Sequence, residues 1–370
     1  MSRRIAAAVL NRSPGELEVE ELIIDDPAPE EVLVRVEYAG LCHSDLHEID
    51  GTFDTTPPPI VLGHELVGDV VEVGSAVQGF APGDPVVTCL SMFCGTCAYC
   101  LEGRQTLCIN RGRLQQQRSR PRLTNAGGEA VRPTAGIGGF AEMALVHQNG
   151  LVVVPHDVLP ATASVLGCAV TTGMGAVLHS ARVRPGQTVA VIGLGGVGFA
   201  ALQAARLAGA SQVIGVDVVP AKLRRALEFG ATDVVDARDS EAVATVRELS
   251  EGGVHHAFEA VGSGRTVGQA FAMLRAGGTA TVMGMIPDGH QIDIRGAELF
   301  LEEKRLQGCF MGSNHFKVDI PMYAEFNRMG VLRLDELVTA EFDLATINEG
   351  FKALASGDEI RVVARIGGRA

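Results

Sequence analysis

The chain has 370 residues, 46% hydrophobic and 20% charged, which suits a soluble globular protein of two domains better than a single core. Its 31 Lys and Arg against 44 Asp and Glu give a net charge of −13. That balance argues against general nucleic-acid binding, which neutralises phosphates with basic side chains. No run of 18 apolar residues occurs, so no membrane span is expected. The apolar stretch at 5–10 is too short for the core of a secretion signal, so a cytoplasmic location is expected. There, eight cysteines read as metal ligands or free thiols rather than disulfides.

In chain order, residues 31–38, 65–73 and 85–90 are valine-rich strands, and Pro57-Pro58-Pro59 breaks the chain between the first two. Up to about residue 155 this predicts a β-rich domain with irregular loops. The pattern changes near Thr172. Strands at 188–192, 213–216, 234–235, 256–261 and 279–283 alternate with helices at 199–208, 221–229, 241–249 and 266–275. Such alternation predicts βαβ units around a parallel sheet, with a sixth strand near 306–311. The tail from about 317 reads as helices plus a strand at 361–366.

Gly193-Leu194-Gly195-Gly196-Val197-Gly198 fits G-x-G-x-x-G between the strand at 188–192 and the following helix. Gly193 permits the tight turn, Gly195 lets a pyrophosphate approach the backbone, and Gly198 lets the helix lie close on the sheet. The helix N-terminus offers N–H groups to the anion. Asp217 closes the next strand, 19 residues after Gly198. A carboxylate there accepts from the ribose hydroxyls and repels a 2′-phosphate, so NAD is favoured over NADP. A structural glycine turn beside a surface acid is the bland alternative; strand, helix and acid in register favour the dinucleotide.

Cys94, Cys97, Cys100 and Cys108 form C-x2-C-x2-C-x7-C. Four thiolates at this density close a tetrahedral zinc site with no open position, which makes it structural. An iron–sulfur cluster or four free thiols are the alternatives. A zinc ribbon on nucleic acid fits poorly with the acidic balance. Cys42, His64 and Cys168 are three further possible ligands, in Cys42-His43-Ser44-Asp45-Leu46-His47, Gly63-His64-Glu65 and Gly167-Cys168-Ala169. Spacing alone does not join them, and each singly reads as an ordinary core residue.

Taken in order, Gly40-Leu41-Cys42-His43-Ser44-Asp45, Gly63-His64-Glu65, the quartet, Leu166-Gly167-Cys168 and Gly193–Gly198 resemble the zinc-containing alcohol dehydrogenases of the medium-chain dehydrogenase/reductase family. The resemblance covers essentially the whole chain and looks closest to the class III-like, long dimeric type. It implies an α/β fold: a GroES-like β-rich catalytic domain at 1–170, completed by 311–370, and a Rossmann doubly wound NAD-binding domain at 171–310. It implies two zinc ions per chain, with Cys42, His64 and Cys168 as the catalytic ligands. Ser44 would accept the alcohol proton and His47 would pass it to solvent. Asp45 would fix the His64 tautomer, and Glu65 would lie behind the metal and aid ligand exchange. Thr172 and Val197 match positions at the nicotinamide ring, Lys222 one near the adenosine ribose, and Arg361 a pyrophosphate-binding arginine. Gly196 belongs to the same turn. His43 stands where many members carry a pyrophosphate-binding arginine, which predicts weaker NAD binding and faster NADH release.

Between Cys108 and Gly136 lie Arg111, Arg113, Arg118, Arg120, Arg122 and Arg132 against the single acid Glu129. The resemblance places this loop at the substrate entrance and near a partner subunit. A solvated or bridging loop is expected over one that steers an acidic substrate. Keeping the loop implies a homodimer, with the sheet edge near 306–311 supplying the contact. The favoured function is reversible oxidation of a primary or aromatic alcohol to the aldehyde, with hydride transfer to NAD. A thiol-dependent formaldehyde dehydrogenase is the alternative, weakened because Arg111 is one residue out of register. A catalytically silent, NAD-sensing zinc protein is a remote third.

Overall fold

The computed structural model describes residues 3–53, 56–116, 118–238 and 241–367. The chain divides into two compact units, Met1–Cys168 with His315–Ala370, and Ala169–Asn314.

In the first unit, strands Arg3–Leu10, Leu17–Ile24, Leu123–Thr124, Ala130–Pro133 and Ile60–Val61 close a small barrel. The strand Glu31–Leu41 is buried along almost its whole length because three neighbours pair with it: Glu65–Val73, Met143–His147 and Arg361–Arg365. Its apolar run reflects burial of side chains on both of its faces. The register sets Gly40 opposite both Glu65 and Val363, and Leu41 opposite Val362. A side chain at Gly40 would meet the Arg361 guanidinium at 2.9 Å and the Glu65 carboxylate at 3.1 Å. Sheet register therefore delivers the end of this strand, Glu65 and Arg361 to one place. Val34, Val36, Leu62, Leu66, Phe140 and Val362 fill the core beneath.

The second unit holds six parallel strands in the spatial order Asp233–Asp236, Gln212–Asp217, Thr188–Ile192, Val254–Glu259, Leu274–Val282, Arg305–Gly308. Counted along the chain this is 3-2-1-4-5-6, the Rossmann arrangement. Helices Gly196–Leu207, Pro220–Glu228, Ala242–Leu249 and Gly264–Ala272 connect successive strands. Ile192, Ile214, Val216, Val254 and Phe271 form its core.

Several element boundaries shift by one to five residues from the sequence reading, two of them with consequences for the chain path. The helix expected to run to 275 stops at Ala272, and the next strand begins at Leu274. The sixth strand ends at Gly308 and gives way to a 3-10 turn, Phe310–Ser313, with Met311 and Gly312 at positive φ. Among the described residues no helix is long and apolar enough to cross a membrane.

Candidate active site and metal centres

Cys42 directly follows the long strand and caps helix His43–Asp50 with extended backbone. Asp45 ties this corner together. Its Oδ2 accepts from the Cys42 N–H at 3.3 Å, and its Oδ1 accepts from the Gly63 N–H at 3.0 Å and lies 3.4 Å from His64 Nδ1. Gly63 has φ +88°, and Phe140 packs so close that a side chain would meet its ring at 2.8 Å. With Nδ1 turned to Asp45, His64 presents a buried Nε2 that has no hydrogen-bond partner. Cys168 sits in Leu166–Val170, a wide π-type turn of the kind that recurs at functional sites. Gly167 passes the Thr88 carbonyl, where a Cβ would lie only 1.8 Å away, so glycine alone lets this turn in.

Ligand atoms of Cys42, His64, Glu65 and Cys168 all lie within 4.8 Å of one another. Two thiols and one imidazole, its Nε2 orphaned, fit zinc. The electrostatics agree. The Cys42 thiol is held well below its usual range by its hydrogen bond with Cys168 and by His64, against burial. The Cys168 thiol is pushed well up by the same Cys42 contact, by burial and by Glu65. His64 is raised despite its burial, because Asp45 and Cys42 face it. Glu65 is pushed to about 7 by burial, with Arg361 opposing. A divalent cation among these groups favours both thiolates and the neutral imidazole. Arg361 donates to Glu65 Oε1 at 2.6 Å, and both are buried.

Cys94, Cys97, Cys100 and Cys108 also bring their sulfurs within 4.8 Å of one another, and none is in a disulfide. The Cys94–Cys100 and Cys97–Cys100 separations are 4.0 and 3.5 Å. A tetrahedron of Zn–S bonds has sulfurs about 3.8 Å apart, so the cage fits that ion. Backbone N–H groups of Thr96 and Cys97 donate to Cys94 Sγ, each at 3.4 Å, the expected support for a thiolate.

In the second unit, Gly193 turns at φ +90°, and a Cβ on Gly198 would lie 1.9 Å from the Gly193 carbonyl. Gly195 faces open space. Gly196 and Val197 begin the helix. Asp217 Oδ2 accepts from the Leu194 N–H at 2.6 Å, and Oδ1 from the Val219 N–H at 2.9 Å, which fixes the carboxylate beside the glycine turn. Lys222 is buried in helix Pro220–Glu228. Thr172 is buried and donates from its hydroxyl to Met311 Sδ at 3.7 Å. On the first unit's helix, His43 is exposed while Ser44 and His47 are half-buried. His47 packs edge-on against Phe53, with Nδ1 3.9 Å from Asp50.

Some features escaped the sequence reading. Glu259 ends its strand fully buried and accepts from the Val261 and Gly262 N–H groups and the Thr266 hydroxyl. An acid closing an apolar strand was the available signal. The arginine loop is not simply solvated. Arg122 and Arg118 have side chains only 7% and 9% exposed, paired to Glu31 and Asp25 at 2.7 and 2.8 Å. Arg111 is turned inward as well, donating to the carbonyls of Met92 and Thr106.

Residues 28–156 match the family model for the alcohol dehydrogenase GroES-like domain, and residues 196–325 that for zinc-binding dehydrogenases. An NDMA-dependent alcohol dehydrogenase of Amycolatopsis methanolica is 39% identical over 96% of this chain and 97% of its own. The chain belongs to the zinc-containing alcohol dehydrogenases of the medium-chain dehydrogenase/reductase family. An S-(hydroxymethyl)glutathione dehydrogenase of Photobacterium damsela subsp. piscicida is 33% identical over 98% of this chain and 99% of its own. The crystal structure of benzyl alcohol dehydrogenase from Acinetobacter calcoaceticus superposes with a TM-score of 0.91 at 31% identity, covering 99% of this chain and all of that one. Membership makes the chain a zinc-dependent oxidoreductase of the alcohol dehydrogenase class, with a nicotinamide cofactor and small-molecule substrates.

Proposed function

We propose that this enzyme reversibly oxidises a primary or aromatic alcohol to its aldehyde with NAD, using one catalytic and one structural zinc per chain. The observation that carries this is the convergence of Cys42, His64 and Cys168 from three distant segments, with the His64 Nε2 unpartnered at the centre. When bound, zinc supplies Lewis-acid activation of the alcohol oxygen. Ser44 and His47, three apart on one helix, share a face. Ser44 takes the alcohol proton and His47 passes it to solvent. Asp45 holds the His64 ring by Nδ1, which would leave Nε2 to bind the metal. Arg361 and Lys222 are assigned to the dinucleotide, with Arg361 also holding Glu65. Thr172 and Val197 are assigned to the nicotinamide ring. Asp217 favours NAD over NADP.

The likeness to a benzyl alcohol dehydrogenase supports an aromatic substrate. The thiol-adduct alternative is disfavoured because Arg111 is committed to two backbone carbonyls. Homodimer formation is supported by the outer strand Arg305–Gly308, whose far side pairs with no described strand, and by the nearby Phe300 and Leu301, which are 80% and 74% exposed. The test is an NADH absorbance assay with benzyl alcohol, hexanol, and formaldehyde with and without low-molecular-weight thiols, repeated with NADP and with NDMA. Turnover of benzyl alcohol with NAD supports the reading. Turnover of formaldehyde alone, and only with thiol, overturns it, as does activity confined to NDMA or NADP.

A further inference from the structure

A cavity of about 430 Å³ opens in the first unit between the arginine loop and the barrel strand Ala130–Pro133. Arg118, Arg120, Arg122 and Arg132 line it, with Thr56 and Ser119 adding hydroxyls. Among the described residues, no acid is in the lining. That is unusual in a chain of net charge −13.

The four guanidiniums fall into two pairs. Arg118 and Arg122 are buried and neutralised from behind, by Asp25 and by Glu31, which also lies 3.3 Å from Arg118. They form a rigid wall. Arg120 and Arg132 form the outer pair. Arg120 is 73% exposed; among the described residues its one ion pair is at 3.4 Å to Asp25, already engaged by Arg118, with the Asp26 carboxylate near enough to feel its charge. Arg132 donates to the Pro57 carbonyl at 2.9 Å and meets no carboxylate among the described residues. Four guanidiniums against the two carboxylates paired to them leave the cavity's described lining with an excess of positive charge, on planar forks suited to two-point recognition of oxygen anions. Its volume falls in the range of small-ligand sites.

We propose that this cavity binds a small organic oxyanion, a carboxylate or a phosphate ester, held by Arg120 and Arg132 against the wall of Arg118 and Arg122. The site lies wholly within the first unit and is independent of which alcohol the enzyme oxidises.

The experiment is calorimetric titration of the full-length enzyme at constant ionic strength, with NADH saturating so that phosphate is kept off the glycine turn. The probes are succinate and glycerol 3-phosphate, with chloride as reference. Either probe binding more tightly than chloride supports the proposal, and the tighter of the two names the oxyanion. Arg120→Gln with Arg132→Gln is expected to weaken that binding by about tenfold or more, from the loss of charge-assisted hydrogen bonds. Ala130→Glu, a change on an exposed position of the lining, is expected to weaken it too by adding a like charge to the bound anion. Binding of neither probe above chloride, or binding unchanged in both variants, overturns the proposal.

Discussion

His43 opens the helix His43–Asp50 as an exposed residue, immediately after Cys42. A histidine carries only part of a positive charge at neutral pH, where an arginine carries all of it. His43→Arg should therefore lower the NADH dissociation constant by about tenfold, the worth of one charge-assisted contact. Fluorescence titration checks this, and an unchanged or higher constant would exclude His43 from the pyrophosphate. Asp217 makes a second residue-scale case. Its carboxylate holds the Leu194 N–H in the glycine turn and the Val219 N–H just beyond its own strand, so it shapes the turn besides supplying charge. Asp217→Ser should raise the ratio of NADP to NAD kcat/KM by about tenfold or more as the repulsion of a 2′-phosphate is removed. A constant ratio would show that selectivity lies elsewhere. Glycine roles at this scale were legible in sequence, because Gly193 needs positive φ and Gly198 needs contact with the Gly193 carbonyl, and both demands are local.

At the scale of elements, legibility depended on whether partners are near in sequence. The cysteine quartet closes within one loop and could be read from spacing. Cys42, His64 and Cys168 are joined only by strand register and by the wide turn Leu166–Val170, so family resemblance, not periodicity, linked them. The arginine loop misled for the same reason. Arg118 and Arg122 meet Asp25 and Glu31 across 93 and 91 residues of chain, a pairing invisible to a local count of charges. The strand Val254–Glu259 carries a further consequence. Burial and the neighbouring His255 lower the His256 pKa to about 4 from an ordinary value of 6.5. The folded state thus keeps this ring neutral where the unfolded chain would protonate it. The associated stability, about 3 kcal/mol, is fully present above pH 6.5 and is lost as pH falls toward 4. Replacing the ring by His256→Gln should flatten the fall in Tm between pH 7.5 and pH 5. An identical fall in both proteins would contradict the burial argument.

For the whole molecule, the alternation of strands and helices foretold the parallel sheet and its six strands, and the valine-rich first half foretold the β-rich unit. What the sequence left open was which distant segments share a centre, since that depends on the pairing of Glu31–Leu41 with three partners at once. The two proposed metal centres are chemically separate, one open and one closed. Zinc content measured on the purified Cys168→Ser variant, alongside its turnover, tests that claim most directly. The prediction is about one zinc per chain, against about two in the unaltered enzyme, with turnover at background and the quartet's zinc retained. A variant that keeps both zinc ions, or that keeps full turnover, would contradict it.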